Sequence, residues 1–224
     1  MQVGFICSSG GSALFSAISL FTASSDRTLI PVIVTDRECG ARHKAMANGF
    51  ATRLVPFETK ERFSSESAQY FHTKGVTNIL LFYTRLIGRP LIDEFNVFNI
   101  HPSLLPSYKG IGAVEMAKTN GGLLLGATLH EVEIGMDSGP LKHQVATAGL
   151  NRISSALANK LSYLQKVWLA LNWLEEQVNE NLRPPDLSTP LRSVSTATRN
   201  LSLATLEKFI AFEAHEIGLL GEGY

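Results

Sequence analysis

The run Asn99-Ile100-His101-Pro102-Ser103-Leu104-Leu105-Pro106 sets an amide and an imidazole two residues apart where an apolar stretch ends. On an extended backbone such a pair faces one side, and Ile100 between them turns into the core. An amide is a neutral hydrogen-bond donor, and an imidazole can donate, accept or carry a proton near neutral pH. Side by side they are equipment for a reaction in which a proton moves. Pro102 and Pro106 stiffen the segment after the pair. A lone Asn-x-His is equally a strand ending in a turn. A second cluster changes that balance: Thr128-Leu129-His130, with Asp137-Ser138-Gly139 starting seven residues after the histidine. An aspartate flanked by glycines is commonly a turn residue; here it can equally reach a histidine.

A third feature lies near the N-terminus. Ser8-Ser9-Gly10-Gly11-Ser12 comes after one apolar run and precedes a helix-like one. Backbone N–H groups at a helix N-terminus make an anion site, and the alternative is a tight strand-to-helix turn. The stretch lacks the Gly-Lys-Ser/Thr of a P-loop. The two cysteines, Cys7 and Cys39, have no paired spacing, and the six histidines form no metal-binding pattern. No metal is expected.

These groups need a scaffold to position them. Short apolar runs at 2–7, 29–35, 53–56, 77–83 and 97–100 alternate with helical spacing at 13–23, 41–49, 65–74 and 89–94. That alternation predicts βαβ units and a doubly wound α/β fold with a mostly parallel sheet. The runs are continuously apolar, as expected when helices cover both faces. Ligands of such sheets bind at the carboxyl ends of strands, where Asn99 and His101 sit. Two later strands are expected at 123–133 and 141–145. A long helix is expected at 151–180, with Ile153, Leu157, Leu161, Leu164, Trp168, Leu171 and Leu174 on one stripe. Arg183-Pro184-Pro185 is a composition break. It divides the chain into an expected catalytic domain, 1–183, and a C-terminal extension, 184–224, with a helix at 203–216.

The 224 residues can bury a sizeable core. Hydrophobic residues make up 45 % and charged residues 18 %, with 20 Lys plus Arg against 20 Asp plus Glu. That balance argues against a sequence-independent grip on nucleic acid. No membrane span or secretory signal is visible, so a cytoplasmic protein is expected.

NIHPSLLP and then GATLHEVEIGMDSGP resemble the folate-dependent formyltransferase family, nearest to the glycinamide ribonucleotide transformylases. The likeness covers residues 1–145 well, is weak in the long helix and is absent in the tail. It implies a formyl transferase of purine biosynthesis that moves a formyl group from 10-formyltetrahydrofolate to a small amine, by default the phosphorylated glycinamide ribonucleotide. Asn99 would hydrogen-bond the formyl oxygen, His101 would support the developing oxyanion, and Asp137 would orient His101 and relay protons. His130 would support the loop. Thr84, Arg85, Leu86 and Ile87 would line the folate pocket, with Ile134, Gly135 and Met136 as the facing wall. Gly10, Gly11 and Ser12 would hold the substrate phosphate. Leu105–Pro106 would be a cis peptide, and a homodimer is compatible with the likeness.

Two departures matter. Ala13 stands where the family usually has Asn. The family's transformylases also carry a Glu in the long helix that holds ribose hydroxyls, and residues 151–172 here contain no acid. Lys160, Tyr163, Gln165 and Lys166 are the polar candidates to replace it, with Gln165 and Tyr163 first. Another amine, such as an amino sugar nucleotide or a hydroxylated ornithine, is therefore the alternative acceptor. A further alternative is hydrolysis of formyltetrahydrofolate. The deformylases that do this carry an additional N-terminal domain, which this sequence is not expected to have.

Overall fold

The computed structural model describes residues 1–120, 124–148, 153–178, 196–197 and 201–218. Five parallel strands come first: β1 (Gln2–Cys7), β2 (Ile30–Thr35), β3 (Ala51–Leu54), β4 (Asn78–Phe82) and β5 (Asn96–His101). Helices α1 (Ser12–Ser24), α2 (Gly40–Ala47), α3 (Lys60–Thr73) and α4 (Arg89–Ile92) connect them. Then β6 (Leu124–Glu131) and β7 (Leu141–Ala148) add antiparallel beside β5, and the two-residue β8 (Thr196–Ala197) pairs with β7. The sheet order is β3-β2-β1-β4-β5-β6-β7-β8, the doubly wound arrangement expected. Three more helices complete the described residues: α5 (Ala113–Thr119), α6 (Ser155–Val178) and α7 (Leu203–Gly218).

The strand alternation splits the core in two. Phe5, Ile33, Leu80, Ile100 and Leu129 face α1, α2, α6 and α7. Ile6, Val34, Ile79, Leu81 and Val97 face α3 and α4. Covering both faces requires apolar residues at successive positions, which is why the parallel strands read as unbroken apolar runs. α3 begins at Lys60, five residues before the expected start, because Thr59 caps it by accepting the Arg62 N–H at 3.2 Å. α5 was not expected; its seven residues carry too short an amphipathic stripe to be read. Residues 151–152 and 179–180 of the expected long helix, and the Arg183-Pro184-Pro185 break, lie outside the described residues. None of the described helices is long and apolar enough to cross a membrane.

α7 docks on the main core. The Phe209 ring meets Trp168 of α6 edge-on at 5.0 Å, and Leu201 and Phe209 are fully buried. Thr205 bonds Ser24 of α1 at 2.8 Å and also bonds the buried carboxylate of Glu175. Phe209→Leu is expected to lower stability by about 1–2 kcal/mol, from the lost ring pair and the smaller volume. In a chain of this size that lowers Tm by about 2–4 °C per kcal/mol, measurable by thermal unfolding. An unchanged Tm would show that this contact contributes nothing to stability.

Candidate active site

β5 ends at His101, and antiparallel β6 brings its own end alongside. Asn99 pairs across with His130, and His101 with Thr128. Residues directly opposite on neighbouring strands have side chains within reach of each other. A register irregularity falls between Leu129 and His130 on the β7 side. Nδ1 of His130 lies 2.7 Å from the Glu131 carbonyl, which can only accept, so Nδ1 carries the hydrogen. Burial holds this imidazole below the usual histidine range, which keeps it neutral. Its Nε2 lone pair then accepts from Asn99 Nδ2 at 3.3 Å. That bond fixes which end of the Asn99 amide is NH2 and leaves its second N–H directed elsewhere.

Asp137 arrives from the loop between β6 and β7. Its Oδ2 accepts the Gly110 N–H at 2.9 Å and lies 3.3 Å from His101 Nδ1. Oδ1 is 3.7 Å from His130 Nε2. The backbone of Asp137 is left-handed, φ 50°, a conformation that Asp and Asn tolerate better than most residues. The loop closes tightly at its far end: a Cβ on Gly139 would stand 2.0 Å from the Glu131 carbonyl oxygen, so only glycine fits. His101 is 4 % exposed, and its Nε2 donates to the Tyr108 carbonyl at 2.8 Å. Both of its nitrogens thus face oxygen acceptors, an arrangement the doubly protonated ring satisfies completely.

The segment between β5 and α5 is braced from below. Thr128 Oγ1 donates to the Ser103 carbonyl at 2.7 Å and accepts the Leu105 N–H at 3.0 Å. Gln144 Nε2 donates to the Leu105 carbonyl at 2.9 Å. The Leu105–Pro106 bond within this brace is cis, as expected.

Asn99, His101, His130 and Asp137 open onto a cavity of about 510 Å³. Most residues singled out in the sequence line it. Thr84, Arg85, Leu86 and Ile87 form one wall, Gly135 and Met136 another, and Gly10, Gly11 and Ser12 a third. Arg85 contributes its stem, since its guanidinium turns to the buried Asp36 at 3.4 Å and stacks over Phe57. Ile134 is not part of the wall. Its side chain is 62 % exposed, because the chain turns at Gly135 (φ 133°) and sends the preceding residue outward. Gly11 is the N-cap of α1 at φ 61°, and Phe15 N–H closes the first helical bond to its carbonyl. The N–H groups of Ser12, Ala13 and Leu14 therefore have no partner within the helix. Cys7, at the end of β1, is fully buried and free, and burial pushes its thiol well up.

The sequence reading missed Gly110, Tyr108 and Gln144. A backbone N–H and a backbone carbonyl have no sequence signature, and Gln144 acts through a register known only from the fold. Two of the four helix candidates are also excluded. Gln165 is fully buried and donates to the Leu125 carbonyl and Thr147 Oγ1 on the sheet side. Lys160 pairs with Glu216 of α7. Tyr163 and Lys166 are the ones that line the cavity.

The formyl transferase family model matches residues 1–169. Over 100 residues the chain is 39 % identical to the phosphoribosylglycinamide formyltransferase of Bacillus subtilis, covering 43 % of this chain and 51 % of that one. It is 34 % identical over 156 residues to the methionyl-tRNA formyltransferase of Thermosipho africanus, covering 68 % of this chain and 48 % of that one. It thus spans about half the length of these curated relatives. Among solved structures, phosphoribosylglycinamide formyltransferase from Bacillus halodurans superposes with a TM-score of 0.73 at 23 % identity, covering 81 % of this chain and 97 % of that one; this is a likeness of fold. With the model matching three quarters of its length, the chain belongs to the formyl transferase family.

Proposed function

We propose that the protein transfers a formyl group from 10-formyltetrahydrofolate to a small primary amine. The observation that carries this reading is the convergence of Asn99, His101 and Asp137 on one cavity that also holds an anion-ready helix start. The cavity also suits a flat conjugated donor, since the apolar side chains of Leu86, Ile111 and Met136 stand exposed on its wall, 53 %, 85 % and 53 %. Such exposed apolar patches mark ligand surfaces.

10-Formyltetrahydrofolate supplies a carbonyl carbon activated by its bond to N10. The acceptor nitrogen bonds to that carbon, the C–N10 bond breaks, and the products are a formamide and tetrahydrofolate. One proton leaves the amine and one joins N10. Asn99 directs its second N–H at the formyl oxygen as charge builds there, while His130 holds the amide in that orientation. A preorganised donor of this kind lowers the barrier by about 3–4 kcal/mol. His101 and Asp137 handle the proton, the carboxylate stabilising the imidazole when it is charged. The acceptor approaches from the side of Gly10, Gly11 and Ser12, where α1 N–H groups suit a phosphate.

Glycinamide ribonucleotide is the default acceptor. The helix acid is absent, so this substrate is expected to turn over detectably but with weak binding. The test is an acceptor screen with 10-formyltetrahydrofolate, following tetrahydrofolate release. A low-micromolar KM for glycinamide ribonucleotide would overturn the expectation of weak binding. Release that needs no amine would establish hydrolysis instead. Release under no condition would sink the transferase reading.

A further inference from the structure

α6 sends one charged side chain into the cavity, and it is Lys166. Among the described residues its ammonium makes no ion pair or hydrogen bond, and the surrounding burial holds it below the usual lysine range. Neighbouring charges do not relieve this. Asp137 faces His101 and His130, Lys160 is paired with Glu216, and Glu115, across the adjoining hollow, forms no ion pair with Lys166.

That hollow, about 390 Å³, shares Pro102, Gly112 and Lys166 with the lining of the main cavity. Ser162 lines it as well, 3 % exposed, and its hydroxyl has no hydrogen-bond partner. On the opposite side Tyr163 is engaged with Ser16 at 2.8 Å, so its hydroxyl is held at the cavity wall. A half-buried ammonium without a counter-ion is costly. At the edge of the cavity, Lys166 defines what a ligand must bring.

We propose that Lys166 is the specificity-determining residue of the acceptor site, and that the acceptor is a primary amine whose anionic group, carboxylate or phosphate, seats against Lys166 rather than on the α1 turn. This rests on the formyl-transfer reading above. The physical basis is charge. A helix acid accepts hydrogen bonds from neutral sugar hydroxyls, whereas a lysine at the cavity wall has three donors and no acceptor. It gains little from a diol and much from an oxyanion, through a charge-assisted hydrogen bond. Recognition has therefore moved from a neutral to a negative group, with the donor half of the site unchanged.

The test has two arms. In the first, matched amines are compared as acceptors: glycine against glycinamide, phosphoethanolamine against ethanolamine, and glycinamide ribonucleotide beside them. The wild type is expected to prefer the anionic member of each pair. Lys166→Gln should raise KM for the preferred acceptor by about tenfold to a hundredfold, the worth of one charge-assisted bond, while Lys166→Glu should move preference toward glycinamide ribonucleotide. The second arm reads Lys166 without turnover, as its rate of acetylation by acetic anhydride, measured by mass spectrometry. Inorganic phosphate and glycolate should protect it, and ribose should not. Equal use of neutral and anionic amines, an unchanged KM in Lys166→Gln, or protection by ribose alone would overturn the proposal. Loss of all formyl transfer with anion protection intact would count against the reaction and leave the anion site standing.

Discussion

Replacing His101 by alanine is expected to lower kcat by at least about a hundredfold while the protein stays folded. The imidazole sits at the end of β5 between the Asp137 carboxylate and the Tyr108 carbonyl. Neither partner is orphaned by its removal. Tyr108 keeps a donor in Ser103 Oγ at 3.3 Å, and Asp137 keeps the Gly110 N–H. The fold should therefore survive, and circular dichroism with a donor-binding measurement will verify that it does. The reaction loses its proton-carrying group, because His130 is held neutral by burial and by its Glu131 bond and is already committed to Asn99. A folded His101→Ala protein that binds donor and turns over at the parent rate would remove the basis for the assignment.

Asp137→Asn is expected to cost a comparable factor, about a hundredfold or more in kcat, for a different reason. Asparagine keeps the shape, tolerates the left-handed backbone at φ 50° and can still accept the Gly110 N–H through its oxygen. What it removes is the negative charge beside His101 Nδ1 at 3.3 Å. Without it, a protonated imidazole in this buried place has only neutral partners, and a buried charge without a counter-charge is disfavoured. KM for the donor should change little, since the contact acts on the proton rather than on binding. Asp137→Ala separates the two roles: it should show the same activity loss and an added stability loss of about 1 kcal/mol, because alanine is strained in the left-handed region. If Asp137→Asn and the parent have equal kcat, Asp137 serves only to shape the turn.

Much of the site is legible in the chain because it is local. Asn99 and His101 share a face through the two-residue period of a strand, and the unbroken apolar runs announce a sheet covered on both sides. Gly10 and Gly11 between a strand and a helix already mark an anion-ready turn. The parts that escaped reading are those made by pairing. That His130 holds Asn99 depends on an antiparallel register between β5 and β6, and an offset of one residue would face a different side chain. The brace from Thr128 and Gln144 to the Leu105 backbone depends on the same register.

The acceptor side shows the division most sharply. From sequence alone residues 151–172 contain no acid, and Lys160, Tyr163, Gln165 and Lys166 are the substitutes on offer. Along α6 successive residues point about 100° apart, so four polar residues within seven positions face four directions. Packing decides among them: the sheet takes Gln165, α7 takes Lys160, and the cavity receives Tyr163 and Lys166. The sequence by itself determined the candidate chemistry, because the proposed reacting groups lie on strand ends and tight turns whose geometry is local. Only the tertiary structure decided which helix side chains face the cavity, because the face of a long helix left open to it depends on what occupies the others.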